Sequence, residues 1–370
     1  MKYDVVIVGA GIIGSLASFY SSVVNKSVAI IDPFLGGYAT NASQDYSKTF
    51  RYAYGQDKFY SNMAEESHSM WRELEQSVNT RLLTSSNFLL LGDDDNTYAM
   101  ESYKVLQNSG YPSSFLDRKN LSEKYPQFNA SFAIEDQGGC IINAQLALKA
   151  ITKLIKKNGV SLIQSRVTEI STHHNSIILD NKQEIFFKKL ILTCGYWIKQ
   201  LITPLPITVT RQQVAYFIPK VIERFSVKNF PQFAHLDNGF HGFPMFGTNG
   251  VKIGNHIPGE EWFSPFGSNS IDEQFINKCI DFFRICLPEL KDSKPTLTNS
   301  CYYDMTPDKD FIIDFLKDDV IIGAGFSGHA FKFAPLIGKI LAKMTLDKNY
   351  SVPFERFLLK REFIASKNIF

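Results

Sequence analysis

The feature that most constrains the fold of this 370-residue chain is a glycine pattern close to its N-terminus. Gly9, Gly11 and Gly14 follow a short β-branched run and precede an apolar stretch. Glycines at this spacing allow a tight turn and let backbone N–H groups approach a phosphate at a helix N-terminus. Further along, Asp32 can accept hydrogen bonds from ribose hydroxyls. The pattern predicts a dinucleotide site, and by itself it does not distinguish NAD from FAD.

The segments around these glycines have the periodicity that the motif requires. Residues 3–8 are expected to form a buried parallel strand, residues 12–24 a helix and residues 27–31 a second parallel strand. A βαβ unit of about 30 residues is the context in which the glycine pattern becomes meaningful. Residues 320–322 have the composition of a last parallel strand, and a helix at 334–344 follows them. The fold class expected from these elements is α/β, with a Rossmann-like domain.

Several further elements can be located from hydrophobic spacing alone. They are an amphipathic helix at 56–76, a strand at 88–91 that begins a different sheet, a helix at 144–157, a strand at 161–163, an antiparallel meander at 167–170, 176–179 and 184–187, a core strand at 189–192 and a helix at 270–287. Cys279 and Cys286 fall on the apolar stripe of the last helix and are expected in the core.

Composition excludes several classes of partner. The chain has 39 basic and 37 acidic residues, so a polyanion such as nucleic acid is not an expected partner. Its five cysteines show no CxxC pair and no zinc-ligand spacing, which predicts reduced thiols and no metal site. No apolar run reaches about 18 residues, and Asp4 interrupts the region where a signal peptide would be positive. We expect a cytoplasmic protein with no membrane contact.

Two segments near the C-terminus carry further chemistry. One reads Cys301-Tyr-Tyr-Asp-Met-Thr-Pro-Asp308, and its cysteine has no disulfide or metal partner in the sequence. The other reads Gly325-Phe-Ser-Gly-His-Ala-Phe-Lys332 and leads from a strand into a helix. Such a glycine-lined turn brings backbone N–H groups close to a cofactor, where they can stabilise negative charge.

With these segments the chain resembles the D-amino-acid-oxidase superfamily, within it the branch of monomeric sarcosine oxidase, N-methyltryptophan oxidase and fructosyl amino acid oxidase. The similarity runs nearly end to end and is densest in residues 3–55, 240–256 and 301–338. It implies FAD in the Rossmann-like domain and a substrate domain built on a mixed sheet over the flavin. The expected division interleaves the two: 1–85, 140–215 and 300–370 for FAD, and 86–139 and 216–299 for the substrate.

The resemblance also implies roles for individual residues. Cys301 would form a thioether to the 8α-methyl group of the flavin. Arg51 and Lys332 would bind a substrate carboxylate, because an Arg forks onto a carboxylate and a Lys adds a point charge. Lys252 would stabilise the anion formed when O2 accepts an electron. His256 would shape the pocket or bind a water, with a purely structural histidine as the alternative.

Departures from the sarcosine oxidases place the substrate in question. This chain has Lys48 where those enzymes have an arginine, and Ser43-Gln44-Asp45 where they have histidine-glycine. His241 stands in place of a pocket tyrosine. The pattern around Lys48 is closer to the fructosyl amino acid oxidases. The predicted cofactor contacts are Gly9, Ala10, Gly11, Ile12, Ile13, Gly14, Asp32, Ser43, Lys48, Val167, Cys301, Gly325, Phe326, Gly328, His329, Phe331 and Lys332.

The function predicted from the sequence is a monomeric, covalently flavinylated amine oxidase. It would oxidise a secondary or N-substituted amino acid (sarcosine-like, N-methyl, cyclic or fructosyl) with O2, giving an imine and H2O2. Two alternatives remain open at this point: an FAD dehydrogenase that passes electrons to a quinone or protein, and a flavin-binding regulatory or scaffold protein.

Overall fold

The fold is given by a computed structural model that describes residues 1–25, 27–37, 40–93, 96–247, 250–264, 270, 272–347, 350 and 353–363. The strands are, in chain order, β1 (Lys2–Val8), β2 (Val28–Ile31), β3 (Ser47–Phe50), β4 (Leu83–Ser85), β5 (Phe88–Gly92), β6 (Ser113–Asp117), β7 (Phe132–Asp136), β8 (Cys140–Asn143), β9 (Ser161–Ile163), β10 (Val167–Ser171), β11 (Ser176–Leu179), β12 (Glu184–Leu192), β13 (Thr208–Phe217), β14 (Gln232–His235), β15 (Phe240–Phe243), β16 (Val251–Asn255), β17 (Pro295–Met305), β18 (Ile312–Lys317) and β19 (Val320–Ala324). The α-helices are α1 (Ile12–Val24), α2 (Lys58–Val78), α3 (Thr97–Asn108), α4 (Arg118–Lys124), α5 (Ala144–Lys157), α6 (Ile198–Leu201), α7 (Glu273–Cys286) and α8 (Ala334–Met344).

The first sheet is built on parallel strands in the order β9-β2-β1-β12-β19. Alternate side chains of β1 enter two different cores. Val5 and Ile7 pack with helices α1, α5 and α8, whereas Val6 and Val8 pack with the meander on the other face. Both faces are covered, which is why the strand reads as a continuous apolar run. The predicted fold class is confirmed by this arrangement and by the structural similarities given below.

Strand β12 joins the parallel sheet to the antiparallel meander. Its first residues pair antiparallel with β11, and its last residues pair parallel with β19. The sequence suggested two strands here, at 184–187 and 189–192. The structure has one strand of nine residues, because its pairing with β1 runs from Phe186 to Leu192 and so continues across Lys188 and Lys189.

The second sheet has the order β17-β13-β16-β15-β14-β5-β7-β6. It is mixed, since β14 pairs parallel with β5 and the remaining neighbours are antiparallel. Helix α7 covers one face with Cys279, Phe283 and Cys286, all buried as expected for the two cysteines. This helix begins at Glu273, after the N-cap Asp272 that accepts from Gln274 N–H, and not at residue 270. The opposite face of the sheet is available for the site.

The predicted domain boundaries at 215 and 300 lie inside β13 and β17. These two strands pair with each other from Thr208 to Phe217. A boundary within paired strands would divide one set of ladder hydrogen bonds. We therefore propose that both strands belong entirely to the substrate domain.

A third sheet has three strands, which pair in the order β3-β8-β4. Its strand β3 contains Lys48 and ends just before Arg51. Among the described residues no helix is long and apolar enough to cross a membrane. The same residues contain no group of His, Cys, Asp and Glu side chains placed to hold a metal ion.

Candidate active site

One cavity connects the glycine loop after β1 with the face of the second sheet. Its wall contains most of the residues predicted from the sequence. They are Gly9, Gly11, Ile12, Ile13, Asp32, Ser43, Lys48, Arg51, Val167, His241, Lys252, His256, Cys301, Phe326, Gly328, His329, Phe331 and Lys332. Ala10, Gly14 and Gly325 lie outside the wall and support it from behind.

The glycine loop is shaped by contacts that admit no side chain. Gly9 has φ +103°, and a Cβ there would lie 2.7 Å from the carbonyl carbon of Thr193 on the neighbouring strand. A Cβ on Gly14 would overlap the carbonyl oxygen of Gly9, so this glycine sets how closely α1 approaches the loop. The N-terminus of α1 therefore opens onto the cavity with its first N–H groups and positive dipole end.

Two polar side chains hold the loop. Asp32 accepts hydrogen bonds from the N–H groups of Ala10 (2.9 Å), Phe34 (2.8 Å) and Gly36 (3.2 Å). A carboxylate has about four lone-pair positions, so one remains for a ribose hydroxyl. Ser43 Oγ accepts from Ile12 N–H at 3.0 Å and so caps the first turn of α1.

The second glycine segment is fastened to the strand that carries Cys301. Asp304 Oδ2 accepts from Gly325 N–H at 2.8 Å, and Ser327 N–H donates to the Asp304 carbonyl at 3.0 Å. Burial raises the pKa of the Asp304 carboxyl to about 6 despite the hydrogen bond from Gly325 N–H. His329 Nε2 donates to the Lys309 carbonyl at 3.0 Å, which leaves Nδ1 as a buried acceptor without a partner in the described part of the chain.

Arg51 and Lys332 form a buried pair of cations, each 4% exposed. Arg51 donates to the Ala53 carbonyl, and Lys332 Nζ donates to the His329 carbonyl at 2.8 Å. Within the described residues neither makes an ion pair with an Asp or Glu. Burial first, and Arg51 second, hold the pKa of Lys332 well below its usual value. Two buried basic side chains that no carboxylate of the described residues neutralises are suited to binding an anion.

Neighbouring side chains fix the positions of these cations. The ring of Tyr54 lies 4.4 Å from Arg51 Cζ and 5.5 Å from Lys332 Nζ, measured to the ring centroid. Asp136 Oδ2 accepts from the N–H groups of Tyr52 (2.6 Å) and Ala53 (3.2 Å), so a buried carboxylate holds the backbone directly after Arg51. The Lys332 carbonyl accepts from Trp71 Nε1 at 2.8 Å, which ties this end of the pair to α2.

Lys252 lies on β16 of the second sheet, directly opposite Tyr216 of β13 on one side and Phe243 of β15 on the other. Its ammonium forms an ion pair with Asp45, donates to the Ser47 carbonyl at 3.0 Å and lies 4.5 Å from the Phe243 ring centroid. Tyr216 Oη donates to the same Asp45 carboxylate. Lys252 is 4% exposed, so this charge lies inside the protein.

His241 and His256 stand in the cavity wall with ring centroids 6.3 Å apart. The side chain of His241 lies over Gly254, where a Cβ would come within 2.8 Å of its Nε2. Burial, followed by His256 and Lys252, holds the pKa of His241 well below its usual value. Burial and the nearby cations Lys309, Arg51 and Lys332 lower the pKa of His256 to about 3. Both rings are therefore neutral at physiological pH.

Cys301 lies on β17 opposite Gln212 and has a free thiol. Burial raises its pKa, whereas Lys48 lowers it, Asp45 raises it and Lys252 lowers it. Lys48 is thus one of the basic groups near the sulfur. Cys301, Lys48 and Lys252 all line the wall of the same cavity.

Sequence reasoning did not assign roles to Asp45, Tyr54, Asp136 or Tyr216. Asp45 and Tyr54 stand in the same segment as Lys48 and Arg51, which was the available signal. Asp136 and Tyr216 lie on β7 and β13 of the second sheet and reach the site through tertiary packing, for which the sequence offers no signal.

The parallel sheet, the glycine loop and the helix N-terminus define a dinucleotide-binding α/β protein with an anion site in the same cavity. The model of the FAD dependent oxidoreductase family (DAO) matches residues 4–344, and the chain belongs to this family. The resemblance stated from the sequence, and the prediction of an FAD-dependent oxidoreductase, are confirmed.

Individual relatives agree with this assignment. The N-methyl-L-tryptophan oxidase of Yersinia pestis (strain Pestoides F) is 29% identical over 98% of this chain and 100% of its own length. Among solved structures, NikD, an amino acid oxidase of nikkomycin biosynthesis, superposes with a TM-score of 0.83 over 99% of this chain and 100% of that one, at 19% identity. The L-proline dehydrogenase of P. horikoshii superposes with a TM-score of 0.82 over 96% of both chains, also at 19% identity.

Proposed function

We propose that this protein oxidises the C–N bond of a secondary or N-substituted amino acid and passes the electrons to O2, releasing H2O2. The observation that carries the proposal is the pair Arg51 and Lys332, two buried cations in the cofactor cavity that no carboxylate of the described residues neutralises. A substrate carboxylate is the group that fits them, because a guanidinium and an ammonium together offer several charge-assisted donors. The N-methyl-L-tryptophan oxidase relative supports a substrate of this class.

The residues present fit FAD. The first turn of α1, after Gly9 and Gly11, would hold the pyrophosphate, and the free lone pair of Asp32 would take a ribose hydroxyl. The orphaned Nδ1 of His329 and the cradle that a Cβ at Gly9 would fill are the observations that support this fit. When bound, FAD would accept a hydride from the carbon next to the amine nitrogen and deliver the electrons to O2.

The protein side chains would then have distinct tasks. Arg51 and Lys332 would bind and orient the carboxylate, with the Tyr54 ring beneath both cations. His241 and His256, both neutral, would face the remainder of the substrate without adding positive charge beside the amine. Lys252 would offer a fixed positive charge to the anion that O2 becomes on accepting its first electron.

We further propose that Cys301 attaches the flavin through a thioether to its 8α-methyl group. Forming this bond removes one hydrogen from the thiol and one from the methyl group, in total two electrons and two protons. The O2 that reoxidises the enzyme can accept these two electrons and two protons and become H2O2. The cations Lys48 and Lys252 near the sulfur support the proposal, since they favour the thiolate that must react.

We also propose that the enzyme works as a monomer in the cytoplasm. A single chain supplies both the dinucleotide end and the anion end of the cavity, so no second subunit is needed to complete it. All five cysteines are free, which suits a reducing compartment.

An H2O2-coupled screen tests the proposal and separates it from a dehydrogenase. Sarcosine, pipecolate, proline, N-methyl amino acids and fructosyl amino acids are offered in turn, with and without an artificial electron acceptor. We expect H2O2 in proportion to substrate consumed. Turnover with the artificial acceptor and negligible H2O2 would favour a dehydrogenase. A dehydrogenase is the second candidate function because the chain is structurally similar to an L-proline dehydrogenase.

A further inference from the structure

The ammonium of Lys252 is held by a buried carboxylate that the proposed reaction has not used. Asp45 and Lys252 have side chains only 8% and 5% exposed, and they form an ion pair. Both line the cavity. A buried ammonium without a counter-charge is costly and loses its proton instead. A carboxylate at this position therefore determines whether the lysine is charged.

Both oxygens of the Asp45 carboxylate have partners within the protein. Oδ1 accepts from Tyr46 N–H at 2.7 Å and from Tyr216 Oη, and Oδ2 binds Lys252. Burial alone would raise the pKa of Asp45, but the charges of Lys252 and Lys48 and the hydrogen bonds from Lys252 and Tyr216 outweigh it, so its pKa lies below the usual value. Asp45 is ionised and rigidly placed.

The donors of Lys252 are divided between the protein and the cavity. Of its three N–H groups, one faces Asp45 and another donates to the Ser47 carbonyl at 3.0 Å. The third is left for the Phe243 ring, 4.5 Å away, or for a small molecule in the cavity. The ammonium thus has one fixed position, determined by β3, β15 and the loop before β3.

We propose that Asp45 is a positioning residue for oxygen activation: it keeps Lys252 protonated and fixed at the cavity wall in the half-reaction with O2. This inference rests on the proposed function, because it needs Lys252 to act on oxygen. The negative charge of Asp45 weakens the electric field that Lys252 presents to the cavity. What Asp45 contributes is a wider pH range over which Lys252 stays positively charged.

Besides burial, three neighbouring groups act on the pKa of Lys252: Asp45, Lys48 and Cys301. Burial lowers its pKa, Asp45 raises it by charge and by a hydrogen bond, Lys48 lowers it and Cys301 raises it. His241 lies nearby and is neutral, and Tyr216 is protonated because burial and Asp45 raise its pKa. Asp45 is therefore the largest of the effects that keep the lysine charged.

The test measures the pKa of Lys252 directly, without reference to catalysis. Competitive acetylation across a pH series, read by mass spectrometry of the Lys252 peptide, reports the fraction of neutral amine in wild type and in Asp45→Asn. We expect the labelling midpoint of Asp45→Asn to fall by at least about one pH unit, since a neighbouring opposite charge typically shifts a buried pKa by about 1–3 units. Tyr216→Phe keeps the carboxylate and should shift the midpoint much less.

The second readout is the rate of flavin reoxidation by O2 as a function of pH, in stopped flow after anaerobic reduction. As the pH rises, the reoxidation rate of Asp45→Asn should fall at a lower pH than that of wild type, by the same shift as the labelling midpoint. The rate of flavin reduction should stay similar. Glu135→Gln removes a buried carboxylate of β7 from its ion pair with the exposed Lys124 of α4, away from the cavity, and serves as the control for general destabilisation.

The outcomes separate the inference from the function on which it rests. An unchanged Lys252 midpoint in Asp45→Asn overturns the inference, even if Lys252→Met shows slow reoxidation and the proposed function stands. Normal reoxidation in Lys252→Met overturns the role of Lys252 itself. If the Asn variant does not fold, Asp45→Ser retains an acceptor for the Tyr46 N–H and removes the charge, and the same midpoint shift is expected.

Discussion

Arg51 and Lys332, which come from opposite ends of the chain, face the same aromatic ring: Tyr54 lies 4.4 Å from Arg51 Cζ and 5.5 Å from Lys332 Nζ. Their like charges would separate them in an exposed setting. Here the ring face, the carbonyls of Ala53 and His329 and the surrounding core hold both in place before any ligand binds. Such preorganisation lowers the cost of binding an anion.

The first prediction is that the substrate carboxylate is obligatory. Removing one partner of a buried, charge-assisted pair costs about 2–5 kcal/mol, because the remaining charge stays buried and unpaired. The decarboxylated analogue of a working substrate should therefore lose about 30-fold to several thousand-fold in kcat/KM. Steady-state kinetics on the two compounds measure this loss. Equal kcat/KM values for both would show that the carboxylate does not contribute to binding.

A second prediction concerns proton uptake. Because burial and Arg51 hold the pKa of Lys332 below its usual value, a bound carboxylate must raise it again. At a pH between the free and the liganded pKa, binding of a carboxylate that lacks an amine, such as propionate, should take up protons. Calorimetry in buffers of different ionisation enthalpy measures the uptake. Lys332→Met should abolish it, and an equal uptake in that variant would assign the proton to another group.

The ring of Tyr54 can be tested with two substitutions. Tyr54→Phe keeps the ring and removes a hydroxyl that lies beside Arg51 without a well-aligned hydrogen bond to it. It should bind the substrate as wild type does. Tyr54→Leu removes the cation–π contacts, each worth about 0.5–2 kcal/mol, and should weaken binding roughly 2- to 30-fold or more. Binding titrations followed by the flavin spectrum measure both. Equal losses in the two variants would point to the hydroxyl instead of the ring.

Lys252→Met should separate the two half-reactions. The substitution keeps side-chain length and removes the charge, so anaerobic flavin reduction should change modestly. Reoxidation by O2 should slow by orders of magnitude, since the cation acts on an anion that forms only in that step. Stopped-flow absorbance measures each rate. Normal reoxidation combined with failed reduction would assign Lys252 a role in substrate binding instead of oxygen activation.

The covalent bond at Cys301 is tested by denaturation. Acid-precipitated protein should remain yellow, and a tryptic peptide containing Cys301 should carry the mass of the flavin. Cys301→Ser should fold and bind FAD reversibly, because the Gly9 and Gly325 loops supply most of the other contacts. It should oxidise substrate poorly, since the thioether makes the ring a stronger oxidant. Complete release of FAD from denatured wild type would show that the bond does not form.

Much of the first domain could be predicted from the sequence because its signals are local. Helix α1 begins and ends where the apolar spacing placed it, at Ile12 and Val24, and helices α5 and α8 also match. The glycine loop could be recognised because only glycine tolerates the contact between Gly9 and Thr193. In each case the residues that determine the structure are close together in the chain.

Helix α7 begins three residues later than its apolar spacing suggested, because Asp272 provides the N-cap, which is also a local signal. Other features depended on tertiary structure alone. Residues 184–192 form one strand because three different neighbours pair with it. The sequence contains Asp45, Tyr216 and Lys252, but only the pairing of β13 with β16 brings the last two together and onto the carboxylate. Whether a charged residue is solvated or buried with a partner depends on contacts between distant segments, and local sequence does not encode those contacts.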